Sequence, residues 1–202
     1  MDQEKSRRKP SLWMWTVIIL TIAGILLSGC DLPGTAPERS FTTKELLIGL
    51  SEMPPGWTVS NGPIKLKDDV SSKDASVIVF QADTNVIRRG AMQRAYRYRS
   101  SSGAKRMYEG YIRPRQFGTT PPEWTYQSPV ADQSYFACDD NQGREPLSCE
   151  WSGRYEEYVV VFGSWIIPDR MSLQDMERVI RAIDARMAQY LGKPYPDAPA
   201  RP

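Results

Sequence analysis

Histidine is missing from all 202 residues of the chain. Its absence removes the commonest general base and the commonest metal ligand, so Ser-His-Asp, Cys-His and histidine-zinc chemistry are excluded. Cysteine is scarce, with Cys30, Cys138 and Cys149 the only three. Net charge is also small at +2, and that excess lies entirely in the first ten residues. No internal repeat, EF-hand spacing or cofactor-binding motif interrupts the chain, so no cofactor or metal is expected.

What is present begins at the N-terminus. Lys5, Arg7, Arg8 and Lys9 outnumber Asp2 and Glu4, and residues 11–29 carry no charged side chain. A basic stretch, an apolar run from Leu12 to Leu27 and a small-residue exit are the three parts of a secretory signal. The exit reads Leu27-Ser28-Gly29-Cys30, which resembles the lipobox of bacterial lipoproteins. That resemblance implies cleavage before Cys30 and thioether diacylation of its sulfur, giving a lipid-anchored protein at the outer face of the cell membrane. Two or more acyl chains hold a protein stably where one does not. The alternative is an uncleaved membrane helix, since 19 uncharged residues rise about 28 Å against a hydrocarbon core of ~30 Å. Both readings place everything after Cys30 outside the cytoplasm.

Residues 30–202 are formally neutral, with 22 basic and 22 acidic side chains. Once Cys30 carries lipid, Cys138 and Cys149 are the remaining thiols in an oxidising compartment, and a disulfide between them is expected. Residues 30–40 are polar and rich in Pro and Gly, as a tether would be. Four prolines mark residues 193–202 as an extended tail, which leaves 41–192 as the folded domain.

Within that domain, Thr42 and Glu45 form a capping box for a short helix ended by Pro54-Pro55-Gly56. Strands are predicted near Trp57–Ser60, Ser76–Ala82 and Ala91–Arg99, the last with Met92, Arg94, Tyr96 and Tyr98 on one face and Gln93, Arg97 and Arg99 on the other. Ser101 or Ser102 caps a helix whose stripe is Ala104, Met107, Tyr108, Tyr111 and Ile112. Further strands fall near Trp124–Gln127, Ser134–Cys138, Leu147–Ser152 and Tyr155–Ile166. A final helix runs from a Ser172 cap to Gly192. The pattern predicts an α+β fold, a mostly antiparallel sheet with helices packed on a face, preceded by a signal helix. Trp57, Trp124, Trp151 and Trp165 are expected to fill the core.

The Leu-rich helix, Pro-Pro-Gly-Trp, late cysteine hairpin, Val-rich strand and terminal helix over about 41–191 resemble bacterial extracytoplasmic lipoprotein and sensor domains. The extracellular domain of PknH-type receptor kinases is among them. The resemblance implies ligand sensing or a scaffold role and points to no particular ligand.

Two features bear on chemistry. Ser102-Gly103-Ala104-Lys105 matches the S-x-x-K of penicillin-interacting enzymes, although the companion S-D-N and K-T-G motifs are absent. It supports an alternative reading as an envelope hydrolase, using that pair or paired carboxylates such as Asp139-Asp140 or Glu156-Glu157. More informative is the stretch from Arg88 to Arg115, with nine basic side chains and one acid, Glu109, for a net of +8. We assign Arg94, Arg97, Arg99, Lys105 and Arg106 to an anionic-ligand surface. The bland reading of the same charges is cross-strand pairing of Arg97 and Arg99 with Glu150, Glu156 and Glu157. Interleaving with Tyr96, Tyr98, Tyr108 and Tyr111 also suits nucleic acid, but a site outside the membrane favours anionic lipid, wall polymer or an envelope protein as partner. The leading expectation is therefore a non-enzymatic ligand-binding or envelope scaffold domain.

Overall fold

Strands dominate the computed structural model, which describes residues 35–66, 72–82, 90–115, 118–139, 147–167 and 169–196. The predicted signal segment and Cys30 lie outside the described residues. Residues from Thr35 onward form one compact unit. Its strands are β1 (Trp57–Lys65), β2 (Asp74–Ala82), β3 (Gly90–Arg97), β4 (Gln133–Asp139), β5 (Ser148–Tyr155) and β6 (Tyr158–Trp165). They build one sheet of order β1-β2-β3-β6-β5-β4, antiparallel at every pairing. Two helices cross it: α1 (Ser101–Met107) and α2 (Leu173–Leu191). The fold is α+β.

Alternation assigns the strands' side chains to two faces. Ile78 and Phe80 of β2, Ala91 and Ala95 of β3, Val160 and Phe162 of β6 and Trp151 of β5 share the main core. Onto them α2 lays Met176, Val179, Ile180, Ile183 and Met187, the stripe that its spacing predicts. Ser172 caps α2 by accepting from the Asp175 N–H, and Gly192 ends it at φ 67°, a left-handed conformation that glycine adopts without cost. Thr42 begins a 3-10 turn, Thr43–Leu46, with Glu45 returning to the Thr42 N–H as the capping box requires.

Cys138 and Cys149 are direct cross-strand partners on β4 and β5, joined by a disulfide with Cα atoms 4.0 Å apart. Residues 140–146 between them lie outside the described residues. Closing the loop of about 12 residues from Cys138 to Cys149 stabilises by roughly 3 kcal/mol in the chain-entropy treatment. Cys138→Ala/Cys149→Ala should lower the unfolding free energy by about that amount in urea titration. An unchanged midpoint would show that the bridge adds nothing.

Four expectations need correction. Trp124–Gln127 is not a strand: Trp124 stacks on Phe136 at 3.7 Å between ring centroids, and its indole N–H donates to the Tyr126 carbonyl at 3.1 Å. Local bonding there replaces the ladder. Residues 35–40 are not a free tether, since Ala36 N–H donates to the Arg99 carbonyl at 2.7 Å and Arg39 pairs with Glu156 and Glu157. The start of the proline-rich tail also packs back, with the Tyr195 hydroxyl donating to the Arg181 carbonyl at 3.1 Å.

The fourth concerns β3. Its two faces separate by parity as predicted, but the polar one faces the core. Ala91 and Ala95 are small enough for the Leu46–Ile48 segment to pass over them. Gln93, fully buried, fastens that segment by accepting from Ile48 N–H at 2.7 Å and donating to the Leu46 carbonyl at 3.2 Å. Its side chain supplies the bonds that a buried backbone must find.

Candidate anionic contact surface

The second face of the sheet is covered only in part, by α1 and the two turns that extend it. Ser100, one residue before the predicted cap, accepts from the Gly103 N–H at 3.0 Å and starts the helix. Ala104 and Tyr108 then bury against Tyr98 of the β3 exit and Val159 and Val161 of β6. The helix next widens into a π turn, Tyr108–Ile112, and tightens into a 3-10 turn, Arg113–Arg115.

The π turn changes which residues face outward. A turn closed by i→i+5 bonds carries an extra residue, so the stripe predicted at α-helical spacing slips. Tyr111, expected in the core, is 47% exposed, while Met107 and Ile112 remain packed on the small cluster. The guanidinium of Arg115 lies 3.4 Å from the Tyr111 ring centroid, and that of Arg113 lies 5.4 Å from the Tyr135 ring on β4. Both contacts hold the cations against aromatic faces without neutralising them.

Burial pushes the Tyr108 hydroxyl above its ordinary pKa, against the opposing pull of Ser152 and Arg113. The phenol stays neutral and its ring serves as the foot of the helix. Lys105 and Arg106 are exposed on the outer side of α1. Glu109, the acid of this stretch, is engaged by the Gln133 side-chain amide at 2.8 Å.

The structure brings three of the five predicted basic residues to this side of the sheet. Lys105 and Arg106 lie on α1 and Arg94 projects half-buried from the second sheet face in line with Val77 and Val161, while Arg99 is exposed beyond the end of β3, just before the cap of α1. Arg97 does not join them. It points to the core face, 7% exposed, donates to the Pro37 carbonyl, and sits 3.4 Å from a Glu157 oxygen. Parity separates it from Arg94, and the pairing expected under the bland reading holds for this one residue. Sequence reasoning left Arg113, Arg115 and Tyr111 out of the surface. Their signal was the net charge of the stretch, but Pro114 suggested that the helix had already ended.

Ion pairing divides the cations. On the core-face side and at the sheet end, Arg39, Arg97, Arg154, Arg186 and Lys193 all have carboxylate partners within 4 Å. Among the described residues, no carboxylate lies within salt-bridge distance of Arg94, Arg99, Lys105, Arg106, Arg113 or Arg115.

Ser102 and Lys105 both face solvent, with the Ser102 hydroxyl 3.1 Å from that of Ser100. Glu156 and Glu157 are engaged by Arg39, and Asp140 lies outside the described residues. Beyond α1, the second sheet face opens into a shallow groove of about 590 Å³ bounded by Val79, Met92, Glu150, Gly163 and Trp165. Among the described residues, no three metal-binding side chains cluster and no helix is long and apolar enough to cross a membrane. No protein-family model, curated protein or solved structure matches the chain.

Proposed function

We propose that the chain is a bacterial lipoprotein, exported, cleaved before Cys30 and acylated there, whose α+β domain is a non-enzymatic binding module with a cationic contact surface. The observation that carries the binding reading is the division of the cations. Five basic side chains, Arg94, Lys105, Arg106, Arg113 and Arg115, lie without carboxylate partners among the described residues on one side of the sheet, with Arg99 exposed beside them, whereas the other basic side chains are largely paired. Exposed charge that gains nothing inside the fold is available to an anionic partner. The disulfide and the signal-like N-terminus support export, because such bridges persist in oxidising compartments.

Two measurements test the two halves. Cys30→Ser should abolish incorporation of a fatty-acid analogue and leave the precursor uncleaved. Intact mass of the membrane-extracted wild type without acyl chains would sink the anchor. Retention on immobilised polyphosphate should fall steeply with salt, and Lys105→Glu/Arg106→Glu should remove most of it. Equal retention of the two proteins would sink the contact surface.

A further inference from the structure

We propose that the anionic partner is the headgroup layer of the membrane in which Cys30 is anchored, with α1 and the turns after it lying against anionic phospholipid. The inference rests on the lipoprotein reading and adds to it a surface, an orientation and a ligand class.

The attachment point comes first. The chain is fastened to the domain at Ala36, whose N–H donates to the Arg99 carbonyl at 2.7 Å, and at Pro37, whose carbonyl accepts from Arg97. Arg39 then locks onto Glu156 and Glu157. Six chain steps lead from Cys30 to Ala36, so the covalent backbone reach from the acylated residue to the fastening point is at most about 22 Å. A wall polymer farther out has no such constraint in its favour.

The fastening point selects one end of the sheet, the end at which α1 starts. Arg99 immediately precedes Ser100, the cap of α1. At ~1.5 Å per residue, Lys105 and Arg106 lie only about 10 Å farther along the helix. A tether that ends there keeps the start of α1 near the bilayer. Phe41 packs on Tyr190 at the end of α2, so that end of α2 lies near the fastening point as well. It is the cations of the α1 side, without carboxylate partners among the described residues, that favour an anionic surface on that side. Confinement at that range raises the local concentration of headgroups enough for individually weak contacts to count.

The chemistry of the surface fits phospholipid. Exposed Lys105, Arg106, Arg113 and Arg115 supply positive charge, and each cation near an anionic bilayer favours association by about fivefold. The π turn exposes Tyr111 between them, with Arg115 stacked on its ring. An amphipathic ring backed by a guanidinium suits the headgroup level, where tyrosine concentrates in membrane proteins. The one acid of the helix, Glu109, is bonded to Gln133.

The test uses the mature lipidated protein, its acylation verified by intact mass, reconstituted into vesicles of phosphatidylcholine alone or with phosphatidylglycerol. A membrane-impermeant amine-acylating reagent is applied, and modification of Lys105 is compared by mass spectrometry with that of Lys44, exposed on the other side of the sheet. On phosphatidylglycerol vesicles at low salt, Lys105 should be modified at least about fivefold more slowly than in detergent, while Lys44 is unchanged. High salt and phosphatidylcholine alone should each restore Lys105. Arg106→Gln/Arg113→Gln/Arg115→Gln, all exposed positions, should also restore it while keeping the wild-type thermal midpoint. Equal modification of the two lysines on phosphatidylglycerol vesicles overturns the proposal, as does protection that survives the triple substitution. Protection that requires added wall polymer overturns it in favour of the polymer. An unacylated Cys30 overturns both this inference and the lipoprotein reading, whereas verified acylation without protection overturns this inference alone.

Discussion

Asp184→Ala should destabilise the domain by about 4–5 kcal/mol, measured as the loss of unfolding free energy in urea, because two buried phenol hydroxyls and one partly buried serine hydroxyl lose one acceptor. Asp184 projects from α2 and is wholly buried. Its carboxylate accepts from the Tyr126 hydroxyl at 2.5 Å, from the Ser128 hydroxyl at 2.7 Å and from the Tyr155 hydroxyl. The three donors come from the loop ahead of β4 and from β5, so one carboxylate ties the helix to the sheet and to the loop. Ser128 in turn accepts from Val130 and Ala131 N–H, which extends the tie along that loop. Each buried donor left unpaired costs about 1–3 kcal/mol, and bonds to a charged acceptor lie toward the upper end. For a domain of this size, the thermal midpoint should fall by roughly 10–15 °C. A loss under about 1.5 kcal/mol would show that the hydroxyls find other acceptors.

The same carboxylate carries a pH signature. Burial pushes the Asp184 carboxyl above its ordinary range, and the three hydroxyl donors only partly oppose that shift. Its folded pKa therefore exceeds its unfolded one, so the folded state binds the proton more tightly. The stability it contributes is greatest below the unfolded value and declines as pH rises through the folded value. Asp184→Asn does not titrate at this position. The stability gap between wild type and Asp184→Asn should therefore be widest in acid and narrow toward neutrality.

Asp74 works in the opposite sense. Burial pushes its carboxyl up, but bonds from the Thr43 N–H and hydroxyl and from Lys65 overcome that and hold it below the usual range. Its contribution is present above the unfolded value and is lost as pH falls through the folded one. Comparison with Asp184→Asn cancels the Asp74 term, which both proteins share.

Much of this architecture is legible locally. The Ser172 cap, the Gly192 stop and the stripe between them define α2 from neighbouring residues alone, and the two cysteines are left to each other once Cys30 is set aside. Strand parity on β3 is equally local. What parity cannot supply is which face is buried, because that depends on the Leu46–Ile48 segment, more than forty residues away, lying across Ala91 and Ala95. Gln93 and Arg97 therefore read as solvated residues although they are bonded inside.

The candidate surface obeys the same rule. Its excess charge is visible as composition between Arg88 and Arg115. The removal of Arg97 from it depends on Glu157, sixty positions later. The exposure of Tyr111 was illegible for a different reason. A π turn arises from how a helix packs, and α-helical spacing has no means of signalling it.

Glu157→Ala is the second substitution with a large expected effect, a loss of about 3–5 kcal/mol, because it strands charge in the interior. Glu157 is 1% exposed at the turn between β5 and β6 and meets Arg39 at 3.2 Å and Arg97 at 3.4 Å. Arg39 retains Glu156, which is partly solvated, but Arg97 would be left with the Pro37 carbonyl and the face of Tyr158. The Arg97 Nε already lacks a partner among the described residues, so its margin is small. Removing the cation as well should recover most of the loss, since a buried pair replaced by well-packed apolar groups is often neutral. Arg97→Met/Glu157→Met should thus be more stable than Glu157→Ala. The single change should also free the segment that the pair clamps, with faster hydrogen exchange at the Ala36 amide. Release as far as Phe41 would extend the covalent reach from Cys30 to about 38 Å. Confinement of α1 at the bilayer would then weaken, so Glu157→Ala should reduce Lys105 protection on phosphatidylglycerol vesicles even though residue 157 lies on no membrane-facing helix. Full stability together with unchanged Ala36 exchange would show that the cluster neither supports the fold nor sets the tether.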